Sequence, residues 1–210
     1  MLQLNLDSPD RKTRILDAAE RCFVRAGFHR TTMQDVAAEA GMSAGNLYRY
    51  FPSKDSVVEG LCERDRGDLA ADFAGFEGQD DFMSTFVALG RKHFENEPRD
   101  KAVLCLQIWA EAARSPVVAG FVSAFADDVV SRLTMLLLAA RDAGKIASTV
   151  DPGAVALLIA TVADGLFVRR AVVPSFDPAR EVPQVLNLIC AVVAGQVPGV
   201  CGLSALESET

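Results

Sequence analysis

Apolar residues recur along most of this chain at three- and four-residue intervals, and strand-like alternation is scarce, which predicts an all-α fold. The first run, Ile15, Ala19, Cys22, Phe23 and Ala26, marks a helix that Ser8-Pro9 opens and Gly27 ends. Phe28 is expected to tuck into a small core. Thr32 and Asp35 form a capping-box pattern ahead of Val36, Ala37 and Ala40, and Gly41 stops that second helix. Ser43 caps a third helix that runs to about Tyr50, where Pro52 ends it. Ser53 caps a fourth, from Lys54 to about Phe73, roughly 30 Å long. Val57, Val58, Leu61 and Cys62 are expected to pack on the first three helices, and Leu69 and Phe73 on a larger domain.

Further on, Phe82, Phe86, Leu89 and Phe94 mark a fifth helix, broken at Asn96-Glu97-Pro98. Val103, Leu104, Cys105, Ile108, Trp109 and Ala112 mark a sixth, ending before Ser115-Pro116. A long seventh carries Val118, Phe121, Val122, Phe125, Val129, Leu133 and Leu136 to Ala143, with Gly144 as its stop. Asp151-Pro152 opens an eighth helix and Asp177-Pro178 a ninth, in which Pro183 is expected to produce a kink or a restart. Residues 76–81, with Gly78, are expected as a loop, and 196–210 as loosely ordered. About nine helices result. They divide into a three-helix domain, 1–53, and a larger helical domain, 54–210, with the helix 54–74 shared as a connector.

Helix, short turn with glycine, helix is the helix-turn-helix plan, whose second helix enters the DNA major groove. The residues on that face suit the task. Ser43, Ala44, Gly45 and Asn46 form the first turn, where small side chains let a backbone approach base edges and Asn can bond adenine. Tyr48, Arg49 and Tyr50 add phenols and a guanidinium. Arg30, Thr31 and Thr32 precede the second helix, and Lys54 stands at the start of the fourth, where amides and an ammonium together suit a phosphate. An ordinary helical hairpin with a solvated face would show the same local pattern.

The run GMSAGNLYRYFPSKDSVVEGL resembles the DNA-binding signature of the TetR family of bacterial transcriptional repressors. The matching positions are Gly41, Met42, Ser43, Leu47, Tyr48, Phe51 and Lys54, and ILDAAERCFVRAGFHRTTMQDVAAEAG fits the family's first two helices. The resemblance spans about Arg14 to Leu61 and is architectural beyond that point. It implies a cytoplasmic homodimer on a palindromic operator in double-stranded DNA. It also implies a larger domain that binds a small effector and a four-helix bundle across the dimer axis. Ligand would tilt the fourth helix and change the spacing of the two reading helices.

Two features of the second domain gain meaning from that likeness. The last two helices are apolar on more than one face, so they are buried on both sides, by their own core or by a partner. Leu158, Val162, Phe167, Leu186, Ile189 and Val193 are the candidate dimer residues. Phe73, Phe86, Cys105, Trp109, Phe121 and Phe125 concentrate aromatic and apolar bulk that either packs as core or lines a pocket for a small apolar or aromatic effector. His93, Gln107, Glu111 and Arg114 are candidate polar groups to orient such a ligand.

Composition narrows the alternatives. The net charge of −7 argues against a non-specific nucleic-acid coat, and its distribution matters more. Residues 1–55 hold 8 Lys+Arg against 7 Asp+Glu, and the remainder 13 against 21, so the acidic excess lies away from the proposed DNA face. No uncharged apolar stretch reaches the roughly 18 residues of a membrane span, and the N-terminus lacks the pattern of a signal peptide. Five scattered cysteines read as small core residues in a reducing cytoplasm, with a thiol sensor as the alternative. Two histidines give metal clusters little to draw on, so no metal and no cofactor are expected. An enzyme is the weaker reading, because no phosphate loop or nucleophile–base arrangement can be defended.

Overall fold

In a computed structural model, which describes residues 9–76 and 81–197, the chain is all-helical. Nine helices occur among the described residues: α1 (Pro9–Ala26), α2 (Met33–Glu39), α3 (Ala44–Tyr48), α4 (Lys54–Ala74), α5 (Phe82–Phe94), α6 (Arg99–Ala112), α7 (Pro116–Asp142), α8 (Pro152–Val172) and α9 (Pro178–Val193). The expected cap at Ser8, the loop glycine Gly78, Cys201 and the tail beyond residue 197 lie outside the described residues.

Two compact units arise. The first joins residues 1–65 with 103–123, and the second joins 66–102 with 124–210. The division falls inside α4, α6 and α7 rather than at residue 53, so each of these helices contributes to both units.

The first unit is built on the stripe Ile15, Ala18, Ala19, Cys22 and Phe23 of α1, all fully or almost fully buried. Val36 and Ala37 of α2, Leu47 of α3, and Val57, Val58 and Leu61 of α4 close the same core, with Leu104, Ile108 and Val118. Charge pairs surround it. Arg64 of α4 donates to Asp17 Oδ1 and Glu20 Oε2 of α1, each at 2.8 Å. Arg21 and Arg25 of α1 both reach Glu39 at the end of α2. At the exposed Arg21 and Arg25 each ion pair contributes under about 1 kcal/mol, whereas the Arg64 pairs are partly buried.

The second unit packs α5, α8 and α9 with the later part of α7. Phe82 and Phe86 stack at 5.7 Å in a core that includes Leu137, Val155, Ala156, Ile159, Ile189 and Val193. Local rules place its helix starts. Asp151 accepts from the amides of Gly153 and Ala154, Asp177 accepts from Ala179, and a proline follows each at the first helical position. α9 is one continuous helix through Pro183, so the expected restart does not occur. The residue lies in the second turn, where its missing N–H removes a single bond, to Ala179, near a helix end. Gly90 of α5 is pressed against α9: a methyl there would meet Leu186 Cδ2 at 2.5 Å.

The buried faces of α8 and α9 correct part of the sequence reading. Leu186, Ile189 and Val193 are buried in the subunit's own core, as is Val192. Leu158 and Val162 are half-buried against that core, and Phe167 is half-buried. Exposed apolar area lies elsewhere on these helices: Leu157 is 60% exposed and Leu188 59%, with Val168 and Val172 also outward.

Candidate nucleic-acid interface

Two short helices and their caps build the site. Thr32 opens α2 with a reciprocal pair: its amide donates to Asp35 Oδ2 at 2.8 Å, and Asp35's amide donates to its hydroxyl at 3.1 Å. The Thr32 amide and hydroxyl both donate to the ionised carboxylate and hold the Asp35 carboxyl below the usual carboxylate range. Gly41, at φ 65°, ends the helix. Its amide donates to Ala38, that of Met42 donates to Ala37, and no other residue type adopts that φ without strain. Arg14 adds a 2.8 Å bond from its guanidinium to the carbonyl of Ala40.

Ser43 then caps α3 by accepting from the Asn46 amide at 3.3 Å. Of α3 only Leu47 is buried, and it anchors the helix to the core. The other positions are presented outward to different degrees. Gly45, Tyr48 and Arg49 are exposed, while Ala44 and Asn46 are half-buried. Tyr50 is half-buried and packs partly against the core. A methyl on Gly45 would meet nothing within 4 Å, so the fold itself does not require a glycine there. Ser53 and Ser56 cap α4 reciprocally through their hydroxyls and amides, each bond 3.1 Å.

The residues before α2 divide by burial. Arg30 is exposed, and its Nε donates to Ala26 O at 2.9 Å, leaving the terminal guanidinium nitrogens outward. Thr32 is exposed at its cap. Thr31 corrects the sequence reading. It is 1% exposed, and its single hydroxyl proton is offered to the carbonyl of Gly27 at 2.9 Å, with that of Cys22 at 3.2 Å, so its side chain is a bolt inside the fold. Lys54 is also partly committed: its amine donates to Phe28 O at 2.8 Å and to His29 O at 3.4 Å, and lies 4.5 Å from the centre of the Phe28 ring. Two of its three N–H groups are thereby used, and one remains for an anion.

The polar groups expected around an effector are placed otherwise. Gln107 Oε1 accepts from the amide of Phe28 at 3.4 Å, while Glu111 and Arg114 lie beside His29. These three side chains of α6 and its end thus face the turn that precedes α2. His93 pairs with Asp72, Nε2 to Oδ2 at 2.9 Å, and Lys92 bonds the other oxygen. Burial pushes the Asp72 carboxyl up, but Lys92 and His93 outweigh it and leave it below the usual range. Phe86 is core, Phe73 is half-buried against that core, and Cys105, Trp109, Phe121 and Phe125 are half-buried. A recess of about 110 Å³ lies instead beside Phe76, Phe82, Leu136, Ala139, Ala140, Ala143 and Lys145. Among the described residues no group of His, Cys, Asp or Glu is arranged to hold a metal, and no helix is long and apolar enough to cross a membrane.

Comparison with known proteins agrees with this geometry. Residues 15–61 match the family model "Bacterial regulatory proteins, tetR family", and residues 88–194 match "BetI-type transcriptional repressor, C-terminal". The HTH-type transcriptional regulator UidR of Escherichia coli K12 is 24% identical over 185 residues, covering 86% of this chain and 90% of that protein. Salmonella enterica GusR superposes with a TM-score of 0.75 at 23% identity, covering 89% of this chain and 97% of its own. A SmeT–triclosan complex does so with a TM-score of 0.73 at 23% identity, covering 91% and 94%. The second match alone spans half of the sequence and the first covers α2, α3 and their caps: the chain belongs to the TetR family of bacterial transcriptional regulators, with a helix-turn-helix that binds DNA.

Proposed function

We propose that the protein is a homodimeric repressor that holds a palindromic operator and releases it when a small apolar or aromatic molecule binds. The observation that carries the DNA contacts is the outward face of α3. Its one buried side chain, Leu47, fixes the helix, while Gly45, Tyr48 and Arg49 stay exposed. Ser43, Ala44, Gly45 and Asn46 then read bases, and Arg30, Thr32, Tyr48 and the remaining N–H of Lys54 hold phosphates, with Arg49 able to do either.

The dimer reading is supported by the unpartnered stripe Leu157, Val168 and Val172 on α8 with Leu188 on α9. A helix-turn-helix reader gains a second half-site from a two-fold partner. Effector control is supported by the neighbouring SmeT fold, which was solved with triclosan. A second reading is a regulator without a small-molecule effector: Phe86 is buried in the core, and the recess beside Phe82, about 110 Å³, is by itself smaller than the roughly 300–1,000 Å³ of ligand pockets. The protein works in the cytoplasm and catalyses nothing on this reading.

Selection of duplexes from a randomised library by the purified protein is the test. Recovered sites with two-fold symmetry and half-sites roughly 34 Å apart, or a somewhat longer spacing, are expected. Three phosphates neutralised per subunit give a log–log salt slope of about −5. Asymmetric sites and a slope near zero would overturn the reading. Trp109, the only tryptophan, reports effector binding: saturable quenching by a compound that also weakens DNA binding favours effector control.

A further inference from the structure

We propose that Gln107 of α6 is a positioning residue for DNA binding: it holds the turn between α1 and α2 that presents Arg30 to the phosphate backbone. The turn makes few bonds of its own. The amide of Gly27 donates to Phe23 O, that of Thr31 donates to Gly27 O, and the Thr31 hydroxyl lies on the same carbonyl. The amide of Phe28 has no backbone acceptor among the described residues. Its acceptor is Gln107 Oε1, at 3.4 Å and 79 positions along the chain.

Chemistry fixes which end of the glutamine amide is used. A donor faces it, so the oxygen meets the turn and the NH2 group points elsewhere. Gln107 also covers Gly27, where a methyl would meet the same oxygen at 3.6 Å. Gly27 has a φ of 84°, which side chains rarely adopt, so the chain reverses just beneath the glutamine. Leu104 and Ile108 bury α6 in the first core and offer Gln107 from a fixed base. Residue 107 lies far from the helix-turn-helix in sequence, yet the segment 103–123 belongs to the same compact unit as residues 1–65.

Phe28 is thereby held from three directions. Its ring lies 5.2 Å from that of Phe23 in α1 and the residue is 4% exposed. Lys54 of α4 donates to its carbonyl at 2.8 Å, and Gln107 of α6 takes its amide. Arg30 starts two positions on from that anchored point. Its Nε is committed to Ala26 O, and the rest of its guanidinium is free to meet a phosphate. Without the acceptor on α6 the Phe28 amide turns to water and the turn loosens. A phosphate contact made from a loose turn must order it first, so the contact is worth less.

This role rests on Arg30 holding a phosphate, and the experiment separates the two ideas. Full-length wild type, Gln107→Leu and Gln107→Glu are compared, since leucine removes the acceptor and glutamate keeps one. Should the leucine variant fail to fold, Gln107→Ala makes the same comparison with less bulk. Hydrogen exchange of the Phe28 amide in the free protein reads the bond: it is expected to be about fivefold faster in Gln107→Leu, with wild-type protection in Gln107→Glu. Equal exchange in all three proteins would overturn the bond. Affinity for a duplex selected from the randomised library is then measured for Arg30→Ala, alone and combined with Gln107→Leu. Arg30→Ala is expected to cost about tenfold in the wild type, as a bond to a charged group does. In the Gln107→Leu background it is expected to cost about twofold, a coupling of about fivefold between the two positions. Arg49→Ala should cost the same in both backgrounds, because Leu47 and not the turn anchors α3. A variant that merely destabilised the unit would change both losses alike. Equal Arg30 losses in the two backgrounds would overturn the positioning role. Arg30→Ala without effect in the wild type would fault the phosphate contact alone. Gln107→Leu by itself then decides: weaker DNA binding at an unchanged melting temperature sustains the positioning role, and unchanged affinity overturns it.

Discussion

Replacing Gly45 with alanine separates what the fold needs from what DNA needs. Gly45 sits in α3 with an ordinary φ, is exposed, and offers an added methyl open space to 4 Å. Alanine in a helix is favoured over glycine by about 0.5–1 kcal/mol, because it loses less backbone entropy on folding. α3 is only five residues long, so the lower figure applies. For a chain of this size 0.5 kcal/mol raises Tm by about 1–2 °C. The effect on DNA has the opposite sign. If the first turn of α3 lies against base edges, the methyl occupies the space of the approaching duplex, and overpacking a close interface by one methyl costs about 1–3 kcal/mol. That corresponds to roughly a 5- to 150-fold loss of affinity. Calorimetry gives the first quantity, and fluorescence anisotropy on a library-selected duplex gives the second. A raised Tm with unchanged affinity would refute the placement of α3 in the groove. Lost affinity with a lowered Tm would mean that the methyl disturbs the protein itself.

Three further outcomes follow from burial and bonding. Leu157→Glu and Leu188→Glu are expected to leave a folded monomer in sedimentation, because both side chains are exposed, whereas Val192→Asp should unfold the second unit through a buried, unpaired carboxylate. Monomers that fail to form with the first pair would move the interface elsewhere. Thr31→Val should lower stability in urea by about 1–2 kcal/mol, since the buried hydroxyl's bond to the Gly27 and Cys22 carbonyls is lost, while altering the salt slope of DNA binding little. Asp35 is held below its unfolded carboxyl range by the α2 cap, so its contribution is present above the unfolded value and disappears as pH falls through the folded one. Acid titration of stability should show that loss in the wild type and not in Asp35→Asn; superimposable curves would refute it.

Much of the architecture is readable from sequence because its signals are local. Thr32 with Asp35, Asp151-Pro152, Asp177-Pro178 and the stop at Gly41 each act within a few residues, so the chain's own text locates these helix ends. The candidate DNA-reading face of α3 is equally legible, since capping and a single buried leucine orient so short a helix. Partners are another matter. Helical periodicity sorts residues onto faces but does not say what covers each face. Leu186, Ile189 and Val193 form an apolar stripe that suits a dimer as well as a core, and packing against α5 and α7 assigns it to the core while leaving Leu188 outside. Thr31 looks as polar as Thr32, yet one turn of backbone buries the first and exposes the second. His29 and Glu111 stand 82 positions apart with no motif joining them. Only the packing of α6 beside the first turn makes them neighbours, because hydrophobic burial sets where a helix lies and polar side chains meet whatever that placement brings.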